Sequence, residues 1–336
     1  MNSGLQRRTR KPPSFKREMN GRSFFAISRF YENCKNKKPR KKDQPTIVPA
    51  YPQFQHNNRS VEYKKTGWKL DDDGRHITFT DGCGIGRLRL IGNKKQQIET
   101  FPVKEIKRVR LVRHADGYYC QFCVKTERKV EHVESGKELG IDVGLKSFLT
   151  DSEGNTVDNP RHYRKAEKKL KRLGRRLSKK QKQSANRKKA RKALAKQHLK
   201  VQRQREDFAR KQASALISSH DLIAYEHLQI RNMVRNRKLA KSIHDAGWGI
   251  FLQWLARYGF LHDIPIIAVP PHYTSQKCSD CGTIVQKSLS IRTHICHGCG
   301  VVLDRDHNAA LNILHKALSS HRNGTEGHSE TNELVS

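Results

Sequence analysis

Acidic residues are scarce in this sequence. Of its 336 residues, 32 are Asp or Glu against 68 that are Lys or Arg, so the formal net charge is +36. A compact protein with this much unbalanced positive charge repels itself unless anions are bound to it. The expected partner is therefore a polyanion, and nucleic acid is the default one.

Long apolar runs are missing as well. No segment approaches the ~20 consecutive apolar residues that a membrane-spanning helix needs. The N-terminal segment MNSGLQRRTRKPPSFKR is basic but is not followed by an apolar core, so we predict no signal peptide. We therefore expect no membrane partner and a cytoplasmic location, where reducing conditions keep cysteines unpaired.

Half of the 8 cysteines occur in a spacing typical of a zinc ribbon. The motif CSDCG is followed by CHGCG, with 14 residues between the inner cysteines. Two thiolates on a tight turn can bind one ion at about 2.3 Å each, and two such turns complete a tetrahedron. We predict one structural Zn²⁺ in an inserted ribbon at residues 273–303, bound by Cys278, Cys281, Cys296 and Cys299.

Other ligand sets and other states of these cysteines remain as alternatives. The thiols could be unpaired or could form disulfides. His294 and His297 lie within the ribbon and could replace a ligand, but four cysteines already satisfy the ion. A zinc ion with no open coordination position is structural, so we do not interpret it as a catalytic metal.

The first 135 residues divide into a basic segment and a strand-rich segment. Residues 1–50 are dense in Lys, Arg, Asn and Pro, and we expect them to be partly disordered, with a helix possible in the amphipathic run at residues 23–34. Residues 51–135 contain short alternating segments between Asp and Gly turns, which predict a small β-barrel or a sandwich. Cys120 and Cys123 lie in the last strand and point to opposite faces, so we interpret them as structural.

A long basic segment lies within the second unit, which starts at residue 136. Residues 161–216 have helical propensity and carry Lys or Arg at close to every second or third position, with almost no acids. A break around residues 178–186 predicts a helical hairpin. Acidic i,i+4 partners are missing, so the positive charge is not neutralised within the helices. It therefore indicates a surface that contacts phosphates, more than an ordinary solvent-exposed face.

Three acidic residues occupy comparable positions in residues 136–318. Asp142 interrupts an apolar strand, Glu226 lies near the end of a later strand, and Asp306 opens the last helix. Each of them alone could be an ordinary exposed residue. With the order strand, strand, strand, helix, strand, helix they suit an α/β, RNase H-like sheet, whose carboxylates converge at one edge and hold two Mg²⁺ or Mn²⁺ ions.

Four segments of the chain carry a family pattern: GIDVGLKSFL, YEHLQIRNM, YTSQKCSDCG and CGVVLDRDHNAALNIL. They resemble the TnpB/OrfB family, the transposon-encoded relatives of type V CRISPR effectors. The resemblance covers roughly residues 50–318 and is strongest from Leu139 onward. It implies a split RuvC-like nuclease domain at 136–318 that contains the basic hairpin and the zinc ribbon, preceded by a wedge-like β-barrel at 51–135 that contacts guide RNA and the target-adjacent motif.

The same resemblance implies an activity and its residues. Family members cut target DNA under the guidance of an RNA from the transposon end. The family pattern aligns Asp142, Glu226 and Asp306 with the catalytic, Mg²⁺-binding acids. Asp304 is the rival for the third position, and we prefer Asp306 because the pattern aligns through Asn308 and because the helix dipole favours an acid there.

The family comparison also sets expectations for assembly. We expect a monomer bound to RNA, in the cytoplasm of a prokaryote and associated with its nucleoid. The N-terminus looks shortened by several tens of residues relative to the family, and the polar tail at 319–336 is predicted to be disordered. The alternative functions are a cleavage-deficient RNA-guided DNA-binding protein, a truncated transposase remnant, or a transposase that performs strand transfer itself.

Overall fold

The computed structural model describes residues 27–32, 34, 59–72, 74–82, 84–92, 102–125, 127, 132–288 and 291–322. Contacts divide the chain into two compact units, Met1–Glu127 and Arg128–Ser336. In the basic N-terminal segment, residues 27–32 and 34 are helical, within the run for which a helix is predicted. The rest of that predicted segment, residues 1–26, 33 and 35–50, lies outside the described residues.

The first unit contains two antiparallel sheets. Its strands are β1 (Ser60–Tyr63), β2 (Trp68–Leu70), β3 (His76–Phe79), β4 (Gly86–Arg89), β5 (Ile106–Arg113) and β6 (Tyr118–Val124). One sheet has the order β1-β5-β6 and the other has the order β2-β3-β4. Side chains alternate between faces, so Ile77 and Phe79 of β3 are buried while His76 and Thr78 are half-buried.

One core is shared by these two sheets. It is formed by buried residues of both: Tyr63, Trp68, Ile77, Phe79, Ile106 and Val109. Hydrogen bonds between the described strands close no ring, so the structure has the form of a sandwich and a closed barrel remains a prediction. Cys120 packs against this core, and burial raises the pKa of its thiol to about 12, whereas Cys123 is exposed.

The second unit is built on a mixed sheet of five strands. These are β7 (Glu138–Val143), β8 (Ser147–Asp151), β9 (Thr156–Asp158), β10 (Leu222–Glu226) and β11 (Ile266–Val269). The spatial order is β11-β10-β7-β8-β9, in which β7 to β9 form an antiparallel meander and β10 and β11 run parallel to β7. Successive apolar residues of β10, such as Leu222 and Ile223, are both buried, because both faces of the sheet are covered.

Helices cover the two faces of this sheet. They are α1 (His162–Ser178), α2 (Ala185–Ser219), α3 (Ile230–Met233), α4 (Ala240–Ala246), α5 (Trp248–His262) and α6 (Arg305–Arg322). On one face, Ile217 of α2 and Phe251 of α5 pack on buried strand residues such as Phe148. On the other face, Ile313 of α6 packs against Leu222 of β10.

Helix α6 lies unusually close to strand β7. A Cβ at Gly140 would collide with the backbone of Ala310 and with Leu314, so only glycine allows this approach. The close packing sets the first turn of α6 next to the carboxyl end of β7, where Asp142 lies.

The helical hairpin and the ribbon are insertions between these elements. The break between α1 and α2 falls where it is predicted, and Ser184 caps α2 by accepting the Arg187 N–H at 3.1 Å. The ribbon lies between β11 and α6 and contains the antiparallel pair β12 (Thr293–Ile295) and β13 (Val302–Asp304).

The prediction that the disordered tail starts at residue 319 is wrong. Helix α6 continues to Arg322. The hydroxyl groups of Ser319 and Ser320 donate at 2.8 Å to the carbonyls of His315 and Lys316 one turn earlier, so both serines lie within the helix. Residues 323–336 of the predicted tail lie outside the described residues. No helix of the part that the structure describes is long and apolar enough to cross a membrane.

Candidate metal centres

The four predicted zinc ligands converge in space. The Sγ atoms of Cys278, Cys281, Cys296 and Cys299 all lie within 4.8 Å of one another. The Sγ atoms of Cys278 and Cys299 are 3.7 Å apart, and those of Cys281 and Cys296 are 3.4 Å apart. A tetrahedral Zn²⁺ with bonds of about 2.3 Å holds its sulfurs about 3.8 Å apart. The cluster therefore fits a zinc ion, and its sulfurs are too far apart for disulfide bonds.

Each pair of cysteines lies on the same kind of turn. Gly282 and Gly300 both have a φ of 78°, a left-handed conformation that glycine adopts without the steric cost of a Cβ. The Gly282 N–H donates to the Cys278 carbonyl at 3.1 Å, and the Gly300 N–H donates to the Cys296 carbonyl at 2.9 Å. The repeated backbone geometry explains why two pairs of thiols point to one centre.

Other groups of the ribbon affect the choice of ligand. The Thr283 hydroxyl, 3.2 Å from Cys281 Sγ, lowers the pKa of that thiol to about 6, which favours the thiolate that binds metal. His294 is fully buried, with its Nδ1 2.5 Å from Lys287 Nζ, and His297 is exposed. Neither histidine belongs to the metal-ligand cluster found among the described residues.

The sheet brings two of the three predicted acids together. Strand β10 is parallel to β7, and Tyr225 pairs with Ile141. The next residue on each strand is Glu226 and Asp142 respectively, so the two carboxylates occupy adjacent positions where both strands end. Both residues are half-buried.

The third predicted acid comes from the first turn of α6. The Asp306 side chain is 15% exposed, and its carboxylate pairs with Arg305 Nη2 at 2.9 Å and with Arg292 Nη1 of the ribbon at 3.2 Å. Asp304 has a different role, because it is exposed and its carboxylate accepts the Asp306 N–H at 2.8 Å. Asp304 therefore caps the helix on which Asp306 is carried.

The charges of two of these acids act on the third. Burial raises the pKa of Asp142 well above its usual value, and the charges of Glu226 and Asp306 raise it further. Burial also raises the pKa of Glu226, although a hydrogen bond from Thr274 opposes the shift. A buried carboxylate whose pKa is raised by neighbouring carboxylates is stabilised as the anion by a shared cation, and hard oxygen ligands suit Mg²⁺ or Mn²⁺. We call Asp142, Glu226 and Asp306 the acid cluster.

Two side chains that sequence analysis did not single out contact the acid cluster. Thr274, which is 4% exposed, donates its hydroxyl hydrogen to Glu226 Oε1 at 2.7 Å. Arg292, just before β12, forms the ion pair with Asp306. Thr274 lies within the segment YTSQKCSDCG, which resembles the family, but nothing in that segment marks its hydroxyl as the partner of an acid. Arg292 is one of 68 basic residues and has no pattern of its own.

Two buried asparagines of α6 fasten that helix to the ribbon. Asn308 accepts the Ser279 N–H at 3.0 Å and donates to the Lys277 carbonyl at 2.8 Å. Asn312 donates to the carbonyls of Thr274 and Lys277 at 2.9 and 2.7 Å. The helix that carries the third acid is thereby joined to the segment that carries the first two cysteines.

Two family models match the chain. The model OrfB_IS605, described as "Probable transposase", matches residues 121–237. The model described as "Cas12f1-like, TNB domain" matches residues 248–313. The first match includes Asp142 and Glu226, and the second includes the four cysteines and Asp306.

Curated relatives match more than half of the chain. A protein of Streptomyces pristinaespiralis, named as a candidate RNA-guided DNA endonuclease, is 37% identical over 184 residues, which are 54% of this chain and 46% of that protein. InsQ of Escherichia coli (strain K12), with the same description, is 29% identical over 79% of this chain and 68% of its own length. The "TnpB-like protein L79" of Acanthamoeba polyphaga mimivirus is 28% identical over 60% of this chain. The chain spans 46% and 41% of the length of the first and third of these relatives.

A solved structure shares the fold. The structure of a Cas12f1-sgRNA-target DNA complex matches 85% of this chain and 67% of that chain, with a TM-score of 0.50 and 17% sequence identity. Together, the family models and the curated relatives show that residues 121–237 and 248–313 are similar to TnpB (OrfB) sequences, and the solved structure shows a similar fold.

Proposed function

We propose that this chain is a transposon-encoded, RNA-guided and divalent-metal-dependent DNA endonuclease. The observation that carries the proposal is the convergence of Asp142, Glu226 and Asp306 from β7, β10 and α6 at one edge of a sheet. The names of the relatives and the guide RNA and target DNA bound by the Cas12f1 neighbour support the choice of partners. In this proposal residues 136–318 are an RNase H-like, RuvC-type domain and residues 51–135 are a wedge-like domain.

The acid cluster would hold two Mg²⁺ or Mn²⁺ ions, which supply an activated water and neutralise the leaving oxygen during phosphodiester hydrolysis. The chain's own contribution is to position the ligands. The parallel register keeps Asp142 beside Glu226, and the Thr274 hydroxyl orients the Glu226 carboxylate. Asp304 caps α6 and so directs the first turn, where Asp306 lies, toward the strand ends.

The four cysteines would hold one Zn²⁺ with no open coordination position, which makes the ion structural. Its task in this proposal is to order the segment that contacts the acid cluster. Thr274 lies just before the first cysteine pair, and Arg292 lies just before the second. Both side chains contact an acid, so the folded ribbon supports the nuclease site without taking part in its chemistry.

The hairpin of α1 and α2 would provide the main contact with nucleic-acid phosphates. At the start of α2, Lys188, Lys189, Arg191 and Lys192 are all exposed. None of the four forms an ion pair within the described part of the chain. Uncompensated exposed cations of this kind bind phosphates through the release of counterions.

Neutralising this surface is expected to weaken nucleic-acid binding mainly at low salt. We predict that replacing Lys188, Lys189, Arg191 and Lys192 with Gln lowers affinity for double-stranded DNA and reduces the slope of log K against log[salt] by up to about 0.9 per lost phosphate contact. Binding titrations at several salt concentrations measure both quantities. The matched control replaces the three lysines with Arg, which keeps the charge and should keep the slope. An unchanged slope in the Gln variant would exclude this surface.

The nuclease proposal is tested by cleavage of a target plasmid in Mg²⁺. The protein is purified with RNA transcribed from the adjacent transposon end, and Asp306→Asn is compared with Asp304→Asn. We expect Asp306→Asn to lose cleavage, because it removes a metal-binding charge. Asp304→Asn should retain cleavage, because Asn caps a helix about as well as Asp.

The outcomes of this experiment distinguish the candidate functions. If Asp304→Asn is inactive and Asp306→Asn is active, the third acid is assigned wrongly. If the wild-type protein binds RNA tightly but cuts no target across a library of adjacent motifs, the cleavage-deficient DNA-binding function replaces the proposal. Joined transposon ends formed by the protein alone would instead favour strand transfer.

A further inference from the structure

Tyr273 has a backbone conformation that is unusual for an aromatic residue. Its φ is 60°, in the left-handed region where a Cβ approaches the following carbonyl oxygen and which Gly, Asn and Asp adopt most readily. The other non-glycine residues with positive φ in the described ranges are Arg161, Gln183 and Asp263. A strained position that carries a bulky ring points to a use for that ring.

The residues around Tyr273 hold its backbone in place. Its carbonyl accepts the N–H groups of Gln276 and Lys277 at 3.1 and 2.9 Å, which closes a turn just before the first cysteine pair. The next residue, Thr274, is buried and donates to Glu226 at 2.7 Å. Tyr273 is therefore one Cα step, about 3.8 Å, from a residue that contacts the acid cluster.

The Tyr273 ring is more exposed than buried. It is 59% exposed, and its side chain makes no hydrogen bond or ring contact in the part of the chain that the structure describes. The Lys316 side chain contacts the same loop, since its Nζ donates to the carbonyls of Pro270 and His272. The charge of Lys316 also acts on Glu226.

We propose that Tyr273 stacks on a nucleobase of the DNA strand that lies at the acid cluster. The inference rests on the proposed nuclease function and adds a positioning residue to it. An aromatic ring can stack on any base, so the contact tolerates every sequence, while a cation such as Lys316 suits a phosphate. Because Thr274 links the loop to Glu226, the stacked base and the phosphate at the acids would keep a constant separation.

Substitutions at position 273 separate stacking from backbone shape. Tyr273→Phe keeps a ring. Tyr273→Asn removes the ring and relaxes the left-handed backbone, so it should keep or raise the melting temperature. If Tyr273 positions the strand by stacking, Tyr273→Phe should keep the fluorescence quenching and the cleavage rate, and Tyr273→Asn should lower both. If Tyr273 shapes only the turn, Tyr273→Asn should cleave DNA at least as fast as the wild-type protein.

The measurement uses the full-length protein and a short single-stranded DNA with 2-aminopurine at successive positions. Ca²⁺ replaces Mg²⁺ to prevent cutting, and stacking is detected as fluorescence quenching. We expect quenching at one position with wild type and Tyr273→Phe, and its loss with Tyr273→Asn. In Mg²⁺, kcat/KM for cutting should fall about 5- to 100-fold in Tyr273→Asn. Phe260→Ala, which removes a phenyl ring that is 71% exposed near the end of α5, is the matched control.

Three results would overturn the inference. They are equal quenching with Tyr273→Asn, loss of quenching with Tyr273→Phe, and quenching of an RNA strand but not of the DNA strand. Failure of the nuclease proposal looks different, because quenching would then persist while no cutting occurs in Mg²⁺. Cutting in Mg²⁺ without quenching at any position would be a fourth result that overturns the stacking inference, and it would leave the nuclease proposal standing.

Discussion

Replacing Asp142 with Asn is expected to abolish DNA cleavage and, in the presence of a chelator, to raise the melting temperature. The loss of cleavage follows from the loss of a metal ligand, whose contribution of several kcal/mol corresponds to a rate lower by about 10³-fold or more. The gain in stability has a separate cause. Burial and the charges of Glu226 and Asp306 raise the pKa of Asp142, so its ionised form costs free energy of folding.

The direction of the pH dependence follows from that raised pKa. The folded state binds the Asp142 proton more tightly than the unfolded state does, so ionisation destabilises the wild-type fold as the pH rises through the folded-state pKa. Asn is neutral at every pH. The variant should therefore be more stable at neutral pH and should melt at a higher temperature. The difference should shrink at acidic pH, where the wild-type carboxyl is protonated.

Thermal melts in EDTA and in Mg²⁺, at acidic and neutral pH, check this prediction. Mg²⁺ should raise the Tm of the wild-type protein more than that of the variant, because a ligand stabilises the state that binds it. Asp207→Asn is the matched control. The Lys211 hydrogen bond lowers the pKa of Asp207, so this substitution should not raise Tm. A lower Tm for Asp142→Asn in EDTA at neutral pH, or full cleavage by it in Mg²⁺, would contradict the assigned acid cluster.

Replacing Cys281 with Ser is expected to remove the zinc ion, unfold the ribbon and reduce cleavage by about 10- to 100-fold or more. In small zinc modules the binding energy of the metal is the folding energy of the module. The loss should reach the acid cluster because Thr274 contacts Glu226 and Arg292 contacts Asp306 from the ribbon segment.

Metal analysis, thermal melts and cleavage assays measure the three parts of this prediction. The wild-type protein should contain about one zinc ion per chain. Cys123→Ser is the matched control, since Cys123 is an exposed thiol in the first unit, and it should leave zinc content and cleavage unchanged. Retention of full stability and cleavage by Cys281→Ser after loss of zinc would rule out a supporting role for the ribbon.

Local patterns predicted the elements that carry both centres. The duplicated CxxC spacing indicated the zinc cluster, because a tight turn suffices to bring each pair of thiols together. The acids at Asp142 and Glu226 were visible because a carboxylate in or after an apolar run is unusual. Helix α6 was predicted from its apolar spacing, but its end was not, because the hydroxyls of Ser319 and Ser320 bond to their own helix.

The choice between Asp304 and Asp306 shows the limit of such patterns. Both acids lie within three residues at the start of one helix, and the sequence favours Asp306 only through the family pattern and the helix dipole. In the structure Asp304 accepts a backbone N–H while Asp306 acts on Asp142. The difference depends on how α6 packs against β7 at Gly140, which no short segment of sequence specifies.

The sequence by itself determined the composition of the two centres: four soft thiolates in one insertion, three hard carboxylates around it, and a basic hairpin without compensating acids. These properties are local, since they follow from residue type and spacing. Only the tertiary structure decided how the centres are connected. Thr274, Arg292, Asn308 and Asn312 join the ribbon to the acids through contacts between residues that are 14 to 48 positions apart. Such contacts arise when the sheet and α6 pack, because packing and not spacing brings their donors and acceptors together.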